Sequence, residues 1–482
     1  MTTPPRYPEI TYSITVRAEY PNRPGMLGTI GIQVGAVGGD MGAVDLVYSS
    51  RDLIVRDFTI NARDTQHAQE IVKAIKGVPG VKVLQVSDPV FLAHLGGKIA
   101  IHSKVPVQTR TDLAKVYTPG VARVSLAIRE DPKAVWTLTS KANTVAIVTD
   151  GSRVLGLGDV GPAAALPVME GKALLFKELG GVDAWPLCLQ TREAEDFVHI
   201  VKAVSTGFGG INLEDIATPR CFDIEDRLKE ELDIPVIHDD QHATAVAILA
   251  GLLNALRLVQ KKLDEVRIVV CGVGAAGSAC IRLLVRAGAR HIIPYDKEGI
   301  LHRGMLTPDT HRVRRWVIEH TNPDNLQGDL MKAVEGADVF IGLSAPGVLT
   351  VEHLKRMAPK PIVFALANPI PEIFPEEAAP YASVIATGRS DYPNQINNAL
   401  VFPGMFRGVL DVRARQITEE MKLAAAEALA SVIPPRELNA EYIIPSLFNK
   451  QVVRAVAKAV GQAAYRVGVA QRSRRRYHFT RV

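Results

Sequence analysis

The chain has 482 residues, 47% of them hydrophobic and 22% charged, an ordinary globular composition long enough for two to four domains. Its formal charge of +5 gathers at one end: Arg472, Arg474, Arg475, Arg476 and Arg481 fall in the last twelve positions, and the remaining 51 basic residues balance 51 acidic ones. A basic body able to grip a phosphate backbone is thereby excluded, and the stretch 471–482 reads as a solvated basic tail.

Cys188, Cys221, Cys271 and Cys280 show no CxxC spacing, so reduced thiols and a cytoplasmic location are expected. The start, MTTPPRYPEI, lacks the pattern of a signal peptide. The longest apolar run, Ala243 to Leu253, is shorter than a bilayer span, and no membrane partner is expected.

From Ile10 to Ala18 the chain is β-branched and predicts a strand; PNRPGMLG turns into a helix marked by Leu27, Ile30, Gly31 and Val34. AVDLVYSS and LIVRDFTINA predict two strands about an Arg51-Asp52 turn, followed by a helical AQEIVKAIKG and a strand VKVLQVSD. The order βαββαβ is that of a small ferredoxin-like unit. With PNRPGMLG leading into its first helix, this unit resembles an ACT domain. The resemblance implies a regulatory unit over 1–90, an amino-acid or metabolite effector, and backbone approach to that ligand at Gly25. A pairing module without a ligand is the alternative.

A join over 89–109 leads to TDLAKVYTPGVARV, where Tyr117 precedes a predicted helix at Val121. Next comes DGSRVLGLGDVGPAAALPVMEGKALLFK, a glycine-rich turn carrying Arg153, with Lys172 following Gly171 at a predicted helix start. A lysine there is either chemical or a solvated helix end. FGGINLEDI then sets Glu214 and Asp215 after one apolar strand, and IPVIHDDQHATA sets Asp239 and Asp240 after another. Carboxylates crowded at two strand ends raise each other's pKa unless a cation intervenes, and hard oxygen ligands select Mg2+ or Mn2+. His238 and His242 flank the second pair without an HExxH pattern.

An apolar helix leads into RIVVCGVGAAGSACIRLLVRAG. Here a strand ends in Gly272, Gly274 and Gly277, with Ala275 and Ala276 between the last two, and a helix follows. Asp296 ends the next strand. That is the context of a dinucleotide fold whose helix N-terminus holds a pyrophosphate. Asp296 favours NAD over NADP, while Lys297 beside it leaves NADP as an alternative. Further apolar strands end near Asn368, Asn397 and Asn398, the pattern of a parallel sheet. The helices from Ile417 onward show no chemistry.

Taken in order, YTPGVA, the DGSR-to-LLFK stretch, INLEDI, HDDQHATA, GVGAAG, LANPIPEI and DYPNQINNALVFPG resemble a malic enzyme of the compact bacterial type over roughly 95–470. Ala243 stands where that family often has glycine. The resemblance implies an α/β fold: the ferredoxin-like unit, a substrate and metal domain over 91–243, and a Rossmann-type parallel-sheet domain with C-terminal helices over 244–470. It implies Lys172 as base, Tyr117 as acid and Asp239 as the carboxylate beside the lysine. Glu214, Asp215 and Asp240 would hold the metal, and Arg153, Asn368 and Asn398 the malate. Gly272, Gly274, Ala275, Ala276, Gly277, Asp296 and Asn368 would line the cofactor. Malate and pyruvate as ligands and a homodimer or homotetramer follow from the same likeness. An amino-acid dehydrogenase sharing the dinucleotide fold, or a silent metabolite sensor, are the competing readings.

Overall fold

The computed structural model describes residues 9–473, so most of the basic tail, including Arg474, Arg475, Arg476 and Arg481, lies outside the described residues. The chain divides into two compact units, Met1–Ile101 and His102–Val482.

In the first unit, strands β1 (Glu9–Pro21), β2 (Asp40–Ser49), β3 (Leu53–Ala62) and β4 (Lys82–Ser87) form an antiparallel sheet in the order β2-β3-β1-β4. Helices Met26–Ala36 and Thr65–Lys76 complete the expected βαββαβ order. Alternate residues of the two central strands, Val16, Ala18 and Tyr20 with Phe58, Ile60 and Ala62, bury one face against Ile30, Val34, Ile71 and Ile75. Asp64 caps the second helix by accepting from His67 N at 2.7 Å. Gly25 enters the first helix at φ 91°, a conformation glycine takes without steric cost. The expected boundary at residue 90 falls within helix Pro89–His94, which packs on β1, and the unit runs on to Ile101.

The second unit holds two sheets. Strands β5 (Thr144–Thr149), β6 (Asp183–Cys188), β7 (Gly210–Leu213) and β8 (Val236–His238) are all parallel in the order β6-β5-β7-β8. The other sheet joins β9 (Arg267–Cys271), β10 (His291–Asp296), β11 (Gly299–Ile300), β12 (Val339–Gly342), β13 (Ile362–Ala365) and β14 (Val384–Thr387) in the order β11-β10-β9-β12-β13-β14, antiparallel only at β11. Strands such as Val339–Gly342 and Ile362–Ala365 are buried at every position, which is why they read as unbroken apolar runs. Strand order reverses between β5 and β7 in one sheet and between β9 and β12 in the other, the crevices where open parallel sheets bind ligands.

Helix Asp239–Val259 follows β8 directly and runs through the expected boundary at residue 243. Among the described residues it is the one helix long and apolar enough to cross a bilayer, at 21 residues and hydropathy 1.6, so the apolar stretch is longer than the sequence run suggests. Burial accounts for its composition: 72% of that window is enclosed by the protein, against the helices Ala275–Arg286 and Glu419–Ser431.

Candidate active site

Lys172 occupies the middle of helix Gly161–Gly180, not its start. The helix begins eleven residues earlier, where Gly161 takes φ 79° and Pro162 supplies the first-turn residue that lacks an N–H to satisfy. Gly171 is thus an interior helix residue, and the lysine beside it is 8% exposed. Its Nζ donates to Glu214 Oε1 at 2.5 Å and to Asp239 Oδ2, and lies 4.6 Å from the Phe402 ring centroid. Asn398 Nδ2 donates to the same Asp239 oxygen at 2.6 Å, and Asn212 Nδ2 to Glu214 Oε2 at 2.9 Å. A solvated helix-end lysine is excluded.

The acids come from two strand ends. Glu214 and Asp215 follow β7, with Glu214 N donating to Val148 O of β5 at 2.9 Å. Asp239 and Asp240 open the helix that follows β8, so their charges face the positive end of its dipole. Asp215 takes φ 54°, a left-handed conformation that a non-glycine residue adopts only when its surroundings hold it there. Its N–H donates to Asp240 Oδ2 at 2.8 Å. One ligand oxygen each from Glu214, Asp215 and Asp240 lies within 4.8 Å of the others.

Burial and this crowding reverse ordinary acid behaviour. Burial first, then the neighbouring Asp240, pushes Asp215 up to about 8, and burial raises Asp239 to about 6 despite Lys172. Glu214 is raised well above its usual range by burial, which outweighs the pull of Lys172. Burial alone would depress the Lys172 ammonium, yet Asp239, Glu214 and Asp240 together hold it above its ordinary value. Asp215 Oδ2 and Asp239 Oδ1 are buried without a hydrogen-bond partner. Unpaired carboxylate oxygens beside three converging acids fit a hard divalent cation.

The loop carrying Arg153 is fixed from below. Asp150, fully buried, accepts from Ser152 N at 3.0 Å and Ser152 Oγ at 2.6 Å, and pairs with Arg220. Arg153 N donates to Asp215 O at 3.0 Å, which ties the loop to the acids while its guanidinium stays exposed. A Cβ on Gly156 would lie 2.8 Å from Asn368 O, so the loop rests against Asn368 only because glycine is there. Tyr117 stands apart: it lies between helices Arg110–Val116 and Val121–Glu130, is 63% exposed, and no described contact joins it to Lys172 or the acids.

At the second sheet, β9 is followed by Gly272 at φ 97°, and a Cβ there would lie 2.4 Å from Leu343 O. A Cβ on Gly277 would lie 1.8 Å from Gly272 O, whereas one on Gly274 meets nothing within 4 Å. The first and third glycines are demanded by the fold; the second leaves open space in front of Ala275 and Ala276, the first two residues of helix Ala275–Arg286. Asp296 ends β10, with Oδ1 accepting from Lys297 N at 2.9 Å and Oδ2 from Arg314 Nη1 at 3.4 Å. Arg314, 18 residues along on another helix, also binds Glu298 Oε2 at 2.5 Å, and no spacing signal marks it in the sequence. In the C-terminal helices Lys422, 2% exposed, hydrogen-bonds His242 Nδ1 at 2.9 Å.

Comparison with known proteins agrees with this geometry. Residues 96–229 match the family described as malic enzyme, N-terminal domain, and residues 241–465 match malic enzyme, NAD binding domain. An NAD-dependent malic enzyme of Geobacillus stearothermophilus is 58% identical over 462 residues, 95% of this chain and 96% of its own. That match is longer than the second unit and so runs into the first. A bifunctional malic/malolactic enzyme of Bacillus subtilis is 52% identical over 78% of this chain and 92% of its own. A crystal structure of malic enzyme from Pyrococcus horikoshii superposes with a TM-score of 0.76 at 50% identity, covering 78% of this chain and 89% of that one.

Proposed function

Because the chain belongs to the malic enzyme family, we propose that it oxidatively decarboxylates (S)-malate to pyruvate and carbon dioxide with reduction of NAD, in a metal-dependent reaction. The observation that carries this reading is the buried Lys172 held between Glu214 and Asp239, beside three acids whose oxygens converge.

In the proposed reaction Arg153 grips a malate carboxylate through a charge-assisted fork, with Asn368 and Asn398 as further hydrogen-bond donors. Lys172 takes the proton of the C2 hydroxyl, and Asp239 and Glu214 orient its nitrogen. Tyr117 returns a proton to C3 after carbon dioxide leaves, a role that rests on the YTPGVA match. Glu214, Asp215 and Asp240 are the residues to hold Mg2+ or Mn2+, which when bound supplies a Lewis acid for the substrate oxygens, while NAD accepts the hydride. Gly272, Gly274, Ala275, Ala276 and Gly277 receive the pyrophosphate, and Asp296 the ribose hydroxyls. Arg314 is already paired with Asp296 and Glu298, which supports NAD, while Lys297 beside Asp296 keeps NADP as the alternative. A cytoplasmic homodimer or homotetramer is the setting we assign.

An absorbance assay at 340 nm with malate, Mn2+ and either cofactor tests the reading. NADH is expected to form faster than NADPH, and absence of both with malate rejects it. The first unit we read as an ACT-like regulatory domain, supported by its βαββαβ order and the left-handed Gly25 turn. Some amino acid or central metabolite is then expected to change both the melting temperature of the full chain and its malate turnover. Flat responses across such a panel would leave only a pairing role.

A further inference from the structure

LANPIPEI carries one acid, Glu372, four residues beyond Asn368 in the segment between β13 and helix Pro375–Ala378. It is fully buried, and its carboxyl is held by main-chain N–H groups and a hydroxyl. Oε1 accepts from Ser344 N at 2.9 Å and from Ser344 Oγ at 3.3 Å, and Oε2 accepts from Ala367 N at 3.0 Å. Ser344 is the second residue after β12 and Ala367 the second after β13, so one side chain ties two neighbouring strand ends together. Room for it comes from a glycine. A Cβ on Gly342, the last residue of β12, would lie 2.4 Å from Glu372 Cδ, and the next nearest atoms are the two carboxyl oxygens. The main chain adds to the tie, with Gly347 N donating to Pro371 O at 3.2 Å and Leu349 N to Glu372 O at 3.1 Å.

We propose that Glu372 is a positioning residue for the cofactor, clamping the loops after β12 and β13 so that the glycine turn after β9 keeps its shape. The inference rests on the reading of that turn as the NAD site. The link between clamp and turn is direct contact. Leu343 N donates to Cys271 O at 2.7 Å, and Cys271 Sγ donates to Ser344 Oγ at 3.4 Å. A Cβ on Gly272 would lie 2.4 Å from Leu343 O and 3.1 Å from Ser344 Cα, so the loop after β12 rests on the first glycine of the turn. Ser344 is therefore held by Glu372 on one side and by the entry to the turn on the other. A carboxyl offers an acceptor on each oxygen, whereas an amide has only one. In Glu372→Gln either Ser344 N–H or Ala367 N–H must face an NH2, and the loop it belongs to is released from the clamp. A role in filling space can be separated from this one, because Gly342 lies against the carboxyl. In Glu372→Ala a methyl added at position 342 enters the vacated space and supplies no acceptor.

The test follows NAD+ binding to the full-length protein by fluorescence, Mn2+ binding from the EPR signal of free Mn2+, and thermal melting. Glu372→Gln is expected to weaken NAD+ binding about tenfold, the size of one lost hydrogen bond to a charged group, with Mn2+ affinity unchanged. In steady-state turnover the same variant should raise KM for NAD by more than it lowers kcat. Glu372→Ala should bind NAD+ at least as weakly and melt lower than wild type. Adding Gly342→Ala to it is expected to recover part of the melting temperature and none of the NAD+ affinity. Wild-type NAD+ affinity in Glu372→Gln overturns the proposal, as does an equal loss of Mn2+ affinity, which would mean general loosening. Return of NAD+ affinity in the double variant also overturns it, since the carboxyl would then only fill space. A wild-type chain that binds no NAD+ sinks the reading of the turn itself, and the proposal with it.

Discussion

Lys172→Ala is expected to lower kcat for malate by about 10²- to 10⁴-fold, the range that a positioned acid–base group contributes. The substitution removes the one nitrogen that Glu214 and Asp239 both hold, and among the described residues no other amine contacts either carboxylate. It also removes the positive charge that offsets buried acids, and breaking such a pair costs about 3–5 kcal/mol when nothing compensates. The metal-free variant should therefore melt well below wild type, and Mn2+ should recover much of the difference. The cofactor loop belongs to the other sheet, so NAD+ binding by fluorescence should be retained. Steady-state turnover of Lys172→Ala near the wild-type rate would remove the lysine from the mechanism.

The second large effect is the expulsion of protons by the metal. In the metal-free chain Asp215 titrates near 8, so at pH 7 its carboxyl is mostly protonated. A cation needs the carboxylate, hence Mn2+ binding at pH 7 must release the Asp215 proton together with any that Glu214 holds, and apparent affinity should rise at least about tenfold per pH unit below that value. Calorimetric titration at pH 7 in two buffers of different ionisation enthalpy reads the release directly. Identical heats in the two buffers would show that Asp215 is already ionised. Stability has the matching sign. The folded-state value lies above the unfolded value of about 3.9, so the favourable contribution of protonated Asp215 is full below that and is lost as pH rises to 8. Mn2+ reverses the loss because it binds the folded chain alone. The same charge balance bears on Lys172: its ammonium is held protonated by Asp239, Glu214 and Asp240, and a cation among those acids weakens that hold.

Much of the site could be read without coordinates because its groups lie at strand ends, where a change from apolar to polar residues is abrupt. Glu214 and Asp215 after one strand, Asp239 and Asp240 after another, and the three glycines after a third all announce themselves this way. Lys172 was legible as an oddity but misplaced. A glycine looks like a helix boundary in sequence, while Gly171 sits inside a helix whose true start is the Gly161-Pro162 pair. Arg314 and Lys422 could not be found, because a charged residue within a helix reads as solvated and only tertiary packing brings each to its partner. The helix that crosses the expected boundary at residue 243 was hidden for a related reason. HDDQHATA looks like a loop by its polarity, yet its acids are the first turn of a long buried helix.

That helix, Asp239–Val259, spans roughly 30 Å at its 21 residues. It carries the acids at one end and its flank lies against helix Ala275–Arg286, which begins at the nucleotide loop. Exchange of nucleotide-binding halves between related chains is therefore constrained. A crossover at residue 243 would splice two foreign halves into one close-packed rod, where a change of even a single methylene is felt. The tolerant seam lies beyond the rod, at 260–266, where Gln260 turns the backbone at φ 60° before β9. Hybrids joined there inherit acids and rod from one parent and the glycine turn from the other.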